Sequence, residues 1–374
     1  MSNFLKIVYK ERIKEIALDK ARRIYGDALS KELTTRLETE LNTLDERKAE
    51  IFCHAFSLAN LCKKNNVSFG SESVTNPPLI GFLLGLTKVN PLAPHYYCKS
   101  CHHIEFDSNF LCGVDMKDKI CPVCDSFLSK DGYDIPIIYK ADTRETDIRF
   151  SFDKDDISKI CNEIEHFFAS YNVLKFCTKT NENETDIMLY AFEAIPAKGF
   201  EMNGIILMPK KTQANFPEGK VISYRDYFKL LEEYPHIGIS LQKALSKKHK
   251  ERLCKITQMV KPQKYDDKIR MSGLFIGSNL WEDNAETLFK DGFVIREIIT
   301  CREDIYDRLI MCGYKTEDAR YISEKIRKGK SLTEEDMAIL EQNGVPDWFI
   351  QSCMKIRYAP TRGMCVMFAI NNNL

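Results

Sequence analysis

Two Cys-x-x-Cys pairs are the residues of this sequence whose types and spacing point most directly to chemistry. Cys98 and Cys101 form the first pair, and Cys121 and Cys124 follow about twenty residues later. Cysteines two residues apart can direct both sulfurs at one tetrahedral ion, and a second pair at this distance completes a four-thiolate site. Four thiolates leave no open coordination position, so the pattern predicts a structural zinc ion.

The same stretch allows other interpretations. Cys112, His102 and His103 lie between the two pairs, and each of them could replace one ligand. Disulfide bonds or four unrelated cysteines are the alternatives to a metal site. The doublet spacing is specific for zinc, and zinc is therefore the preferred interpretation.

Composition limits the kind of protein this can be. The chain has 374 residues, with 54 basic and 54 acidic side chains, so a DNA-gripping face must be local if it exists. Fourteen cysteines and no secretory segment at the start indicate a reducing compartment. Because no apolar run approaches the roughly 18 residues needed to span a bilayer, the expected location is the cytoplasm, without a membrane partner.

The first part of the chain is predicted to be helical. Gly26 is expected to end the first helix, and two more helices are expected over 33–44 and 51–64, followed by a buried segment over 79–86. The apolar positions at helical spacing in the first helix are Ile13, Ile16, Ala17, Ala21 and Ile24.

Strands follow the cysteine-rich stretch, and helices return near the end. Alternating or apolar runs predict strands over 131–139, 146–152 and 204–209. From about residue 265 the pattern is helical, with helix starts expected at 283–286 and 333–336. The predicted fold class is α+β, with a mixed sheet, a zinc insertion and an all-helical last third.

Several stretches resemble one family in the same order along the chain. The family is the PolC type of DNA polymerase III alpha chain, and the similarity extends from about residue 15 to about 370, weakening between about 153 and 255. The stretches that carry the resemblance are KARRIYGDALSKELTTRLETELN, GLTKVNPLAPHYYCKSC, CPVCDSFLSKDGYDIP, IRMSGLFIGSNLWEDNAETL, CREDIYDRLIMCGY, EKIRKGKSL and NGVPDWFIQSCMKIRY.

The resemblance implies four segments. N-terminal helices and the first part of a nucleotidyltransferase-like palm occupy 1–97, and a zinc insertion in the palm occupies 98–128. The rest of the palm, with a reduced thumb-like insertion, occupies 129–255, and a truncated, helical, fingers-like region occupies 256–374. The family's phosphoesterase-like, proofreading, duplex-binding and clamp-binding parts are expected to be missing.

The resemblance also implies a site for nucleotidyl transfer, a reaction in which carboxylates hold two Mg²⁺ ions. The family's palm strand carries two aspartates one residue apart; the first matches Asp147, and the second position holds Arg149. At an effective dielectric near 20, two unit charges 4 Å apart interact by about 4 kcal/mol, so this reversal strongly disfavours a divalent ion. Glu145 shares a strand face with Asp147, and Asp226 is a loose substitute for the family's third aspartate.

The parts that hold the triphosphate in the family have changed as well. The Gly/Ser-rich loop corresponds to 72–78, where an acidic residue replaces an arginine and two prolines remove amide donors. A further family turn corresponds to 200–204. In the fingers, a family lysine and histidine correspond to Thr361 and Gly363, with Arg362 as a partial replacement.

A catalytically inactive PolC-like protein, a pseudoenzyme, is the preferred hypothesis. It would bind primer–template DNA or a replisome protein, in replication, phage defence or a mobile element. The alternatives are an active DNA-directed DNA polymerase, which would need Mg²⁺ and Asp147 with Glu145 or Asp226, and a structural protein without nucleic-acid contact. The predicted phosphate contacts are Lys325, Arg327, Lys328, Lys330 and Arg362.

Overall fold

A computed structural model describes most of the chain, which divides into two compact units. The first unit comprises 1–74, 78–88 and 140–243, and the second comprises 75–77, 89–139 and 244–374. The described residues are 2–71, 78–137, 148–167, 171–179, 186–191, 200–209, 219–223, 237–241, 246–330 and 332–374.

Helices of the first unit begin and end where the sequence places its capping residues. Gly26, at φ 85°, ends the first helix as predicted, and the Ser30 side chain accepts a hydrogen bond from the Leu33 N–H at the start of the second. The helices are α1 (Ser2–Tyr25), α2 (Lys31–Thr43), α3 (Glu46–Lys64), α4 (Leu79–Leu83) and α5 (Lys154–Phe167).

The predicted apolar stripes are buried in this unit. Ile13, Ala17 and Ala21 of α1 are fully buried, whereas Ile16 and Ile24 are half-buried. The buried carboxylate of Glu40 in α2 accepts hydrogen bonds from the backbone N–H groups of Leu79 (2.9 Å) and Ile80 (3.0 Å) and so caps α4. This contact holds the predicted apolar segment over 79–86 against α2.

Among the described residues, ten strands form two sheets. The larger sheet has the order β1-β5-β10-β8-β6-β7-β9, with β5 and β10 parallel and the other pairs antiparallel, and the smaller has the order β3-β2-β4. The strands are β1 (Gly70–Ser71), β2 (His95–Tyr97), β3 (Ile104–Phe106), β4 (Ser129–Asp131), β5 (Ile148–Phe152), β6 (Tyr171–Lys179), β7 (Asp186–Ala191), β8 (Phe200–Pro209), β9 (Val221–Ser223) and β10 (Ile237–Leu241).

Two of the three predicted strands are confirmed, over 148–152 and 200–209. The third, predicted over 131–139, is wrong after Asp131, since 132–137 are described and are not a strand. Gly132 has φ 99°, and a Cβ atom there would lie 2.4 Å from the carbonyl oxygen of Ala93. The chain therefore turns at Gly132, and the next N–H groups bond to the carbonyls of residues 90–92.

Helices make up most of the second unit. The side chain of Thr333 accepts a hydrogen bond from the Asp336 N–H, and Asp336 accepts one in return, which confirms the predicted helix start. Before α8, an irregular π-type turn occupies 281–285. The helices are α6 (Lys247–Val260), α7 (Tyr265–Ile276), α8 (Glu286–Lys290), α9 (Arg302–Met311), α10 (Thr316–Arg327), α11 (Glu334–Gln342), α12 (Asp347–Lys355) and α13 (Arg362–Asn371).

The predicted α+β class is confirmed by these elements. A helical core in the second unit joins residues of α7 and of α9 to α12, with Leu274, Ile305 and Leu309 fully buried. No helix in the described ranges combines the length and the apolar character that crossing a bilayer requires.

Candidate metal centre and anion-binding cleft

The four predicted cysteines lie together. The Sγ atoms of Cys98 and Cys124 are 3.4 Å apart, those of Cys101 and Cys121 are 3.5 Å apart, and all four lie within 4.8 Å of one another. A tetrahedral site with Zn–S bonds of about 2.3 Å has S–S edges of about 3.8 Å. The distances therefore fit a four-thiolate metal site and are too long for a disulfide bond of about 2.05 Å.

Two equivalent turns position the sulfurs. In each turn the first cysteine donates its N–H to the carbonyl five residues later: Cys98 to His103 and Cys121 to Ser126, both at 2.8 Å. The residue after the second cysteine is left-handed in both turns: His102 has φ 61°, and Asp125 has φ 57°. His102 thus contributes its backbone conformation to the turn.

The alternative ligands lie outside the four-sulfur cluster. Cys112 is fully buried in an apolar cluster with Val89 and Tyr133, and His103 does not belong to the group of converging ligand atoms. Within the described part of the chain, the cluster that could hold a metal consists of the four cysteines of the two pairs.

Ionisation of the sulfurs depends on their surroundings. The backbone N–H groups of Cys101 and Ser100 lower the pKa of Cys98 to about 6, which favours the thiolate that binds metals. The His103 N–H acts in the same direction on Cys101, but desolvation and the neighbouring sulfurs raise its pKa to about 12. Four thiols this close cannot all ionise without a cation between them, as a bound metal ion would provide.

The cysteine-rich stretch is bonded to the helices of its own unit. The carboxylate of Asp115 accepts hydrogen bonds from the N–H groups of Tyr265 (2.7 Å) and Asp266 (2.9 Å) at the start of α7. Arg362, the first residue of α13, donates to the carbonyl oxygens of Leu111 (2.8 Å) and Tyr133 (3.0 Å). A metal ion here would stabilise the segment that holds both helix starts.

Arg362 is a structural cation. Its side chain is 8% exposed and pairs with Asp266 (3.1 Å), which is 2% exposed and also binds Arg270 (3.0 Å). Burial alone would lower the pKa of Arg362, but Asp266, Cys301 and Asp304 together outweigh burial and raise it above its usual value. With its donors turned to interior carbonyls and carboxylates, Arg362 does not present the phosphate contact that its charge predicted.

The other predicted phosphate contacts divide into two groups. Lys325 is 13% exposed and is bonded to Asp336, and Arg327 is 11% exposed and pairs with Glu324 (2.6 Å). Lys328 also pairs with Glu324 (3.1 Å) but is 47% exposed, and Lys330 is exposed. Lys328 and Lys330 are therefore the members of the motif that can meet a ligand in solution.

A cleft of about 530 Å³ lies beside Lys330 in the second unit. Lys355 and Arg357 also line it, so three cations border one opening. Gly329, at φ 65°, allows the backbone before Lys330 to approach Arg357 closely. Any other residue would place a Cβ atom 2.1 Å from the Arg357 carbonyl oxygen.

Acidic residues border the same cleft. Glu282 and Asp283 line it, and Lys355 donates to the Asp283 carbonyl at 2.8 Å. The side of the cleft that Lys330, Lys355 and Arg357 line suits an anion such as a phosphate. Lys355 and Arg357 were missed in the sequence because only the fold brings them beside Lys330; the basic run MKIRY was the available signal.

The predicted catalytic carboxylates Asp147, Glu145 and Asp226 lie outside the described residues. Arg149 is described: it lies in β5, in register with Gly238 of the parallel strand β10. Its strand neighbour Phe150 is fully buried and packs edge-to-face on Phe69, with ring centroids 4.9 Å apart.

Comparison with known proteins identifies relatives of the whole chain. The family described as "Bacterial DNA polymerase III alpha NTPase domain" matches residues 11–188. The "DNA polymerase III PolC-type" of Caldanaerobacter subterraneus subsp. tengcongensis is 28% identical over 452 aligned residues, covering 96% of this chain and 32% of the relative. The chain is a homologue of the PolC-type DNA polymerase III alpha family.

Two further PolC-type polymerases support the same conclusion. The protein of Ureaplasma parvum is 27% identical over 90% of this chain, and that of Staphylococcus aureus strain Mu3 is 26% identical over 93%. The resemblance to PolC that the sequence motifs predicted is thus confirmed. This PolC homologue spans about a third of the length of these relatives.

Proposed function

We propose that this PolC homologue binds primer–template DNA and has lost nucleotidyl transfer. In this assignment, 1–97 form N-terminal helices and the first part of a palm, and 98–128 form a structural zinc insertion in it. Residues 129–255 form the rest of the palm with a reduced thumb-like insertion, and 256–374 form a truncated, helical, fingers-like region. Arg149, where the family has a metal-binding aspartate, is the single observation that carries the loss of catalysis. Mg²⁺ has no role in this assignment.

The positive charge of Arg149 is the physical basis for the proposed loss of catalysis. A guanidinium in the strand that follows Asp147 repels the ions that two aspartates would attract, and each pair of unit charges contributes about 4 kcal/mol at 4 Å. Arg149 is half-buried in β5, where screening by water is weaker than at the surface.

Primer extension tests this proposal. We expect no template-directed incorporation by the purified chain with a primed template, all four deoxynucleotides and either Mg²⁺ or Mn²⁺. Asp153→Ala, at an exposed aspartate just after β5, is the matched control for Asp147→Ala. Extension that persists in the control and disappears in Asp147→Ala would show an active polymerase and end the proposal.

The cleft is the proposed phosphate contact. We expect Lys330→Glu with Arg357→Glu to weaken binding of primer–template DNA about tenfold at about 100 mM salt, because two attractive charges become repulsive. Each lost phosphate contact reduces the slope of log K against log salt by about 0.9. Fluorescence anisotropy across a salt series measures both quantities.

Lys315→Glu, at an exposed lysine that does not line the cleft, is the control. Unchanged affinity and slope in the double variant would remove DNA from the cleft. If the wild-type chain binds no DNA but retains a replication protein in a purified binding assay, the partner is that protein.

A further inference from the structure

Helix α6 and the residues after it form a strongly basic segment in a chain of balanced charge. Residues 246–264 contain six lysines and Arg252 against one acidic residue, Glu251. Arg252 is neutralised by Glu282, with its Nε 2.6 Å from the carboxylate. The six lysines are exposed and form no ion pair with another residue of the described ranges: Lys247, Lys248, Lys250, Lys255, Lys261 and Lys264.

Packing holds this basic face toward solvent. Ile256 is fully buried in the helical core, and Leu253 and Val260 pack against the same core. These three residues lie on one side of α6, so helical periodicity places Lys247, Lys248 and Lys255 on the opposite side. Arg252 also donates to the carbonyl oxygens of Leu274 and Phe275, which fixes α6 against α7.

The three lysines in the first turn of α6 do not stabilise the helix. The first turn of α6 contains no acidic residue, and the helix dipole disfavours positive charge at Lys247, Lys248 and Lys250. The Ser246 side chain caps the helix by accepting a hydrogen bond from the His249 N–H at 3.3 Å. Because the helix gains nothing from the charges of these three lysines, a ligand is the better explanation for them.

We propose that the lysine face of α6 binds the phosphate backbone of double-stranded DNA without reading its sequence. A helix of this length extends about 21 Å, and duplex DNA carries one charge per about 1.7 Å of its axis. A duplex segment of that length therefore carries roughly a dozen phosphates over both strands, and one face of α6 can reach those on the side that it meets. None of the six lysines lines the cleft, so this surface is a second contact for the duplex, and it rests on the DNA binding proposed above.

Other polyanions fit this face less well. Single-stranded nucleic acid is held by aromatic side chains on which bases stack, and residues 246–264 contain no Phe, Tyr or Trp. A helix that lies on a membrane inserts its apolar side, whereas the apolar side of α6 is covered by the protein core. The surface therefore favours the duplex backbone.

The test reverses four of these charges: Lys247→Glu, Lys248→Glu, Lys250→Glu and Lys255→Glu. Glutamate in the first turn suits the helix dipole, so the variant is expected to fold. With a labelled duplex of about 20 base pairs, we expect affinity at about 100 mM salt to fall at least tenfold and the salt slope to fall by about 2 to 4. The matched control reverses four exposed lysines elsewhere, Lys31, Lys99, Lys117 and Lys315.

Each outcome decides the proposal. A loss in the α6 variant no greater than in the matched control would overturn it, as would binding to phosphatidylserine vesicles without binding to the duplex. If the cleft variant weakens binding and the α6 variant does not, the α6 proposal fails while the proposed function stands. If the wild-type chain binds no duplex even at about 50 mM salt, where phosphate contacts are strongest, both fail.

Discussion

Replacing Cys121 and Cys124 together with serine is expected to release one equivalent of zinc and to lower the melting temperature by at least about 10 °C. Structural zinc contributes on the order of 10 kcal/mol to the folding of small modules. In this chain the ion would also stabilise the segment whose Asp115 caps α7 and whose carbonyls bind Arg362. Elemental analysis and calorimetry measure the two effects.

Cys254→Ser is the matched control, since Cys254 is an exposed cysteine outside the four-sulfur cluster. It should retain the metal and melt with the wild type. Retention of one zinc equivalent by the double variant would mean that the ligands are other residues. Loss of zinc with an unchanged melting temperature would mean that the ion has no structural role.

Replacing Arg362 with methionine is expected to lower the free energy of unfolding by about 3 to 5 kcal/mol. The change removes one partner of a buried ion pair and leaves Asp266 with Arg270 at 3.0 Å and Arg296 at 4.0 Å. Two interior carbonyls, those of Leu111 and Tyr133, also lose their donor. Denaturant titration measures the loss.

Two other variants sharpen this experiment. Arg362→Lys keeps the charge but cannot reach three acceptors with one ammonium, so an intermediate loss is expected. Arg357→Met changes an exposed arginine and should cost less than about 0.5 kcal/mol. A normally stable Arg362→Met that binds DNA more weakly would instead support the phosphate contact first predicted for Arg362.

The helices and the metal cluster could be predicted because each depends on the spacing of residues that are close in sequence. The stripe containing Ile13, Ala17 and Ala21 is buried, and two doublets of cysteines place four sulfurs together with little help from the rest of the chain. Strands β6, β7 and β10 were not predicted, because a strand depends on partners that are distant in sequence. The parallel pairing of β10 with β5 joins residues on opposite sides of a long intervening stretch.

Charge in the sequence also does not reveal burial. Arg362 and Lys330 are both basic residues in family-like motifs, but one is inside the unit and the other lines a cleft. Only the fold shows why the two residues differ. Arg362 pairs with the buried Asp266, whereas Lys330 follows Gly329, whose backbone approaches Arg357 closely. The lysines of α6 are a dense run in the sequence, but they lie at the end of the stretch where the family resemblance is weak, and no family motif pointed to them.

The division of the chain has a consequence for its biosynthesis. Each unit is formed from three stretches separated by stretches of the other. During translation the cysteine-rich stretch emerges from the ribosome well before Tyr265 and Arg362, the residues that bind it. The nascent chain must keep that stretch from misfolding or aggregating in the meantime, and early binding of a metal ion by its four cysteines would do so.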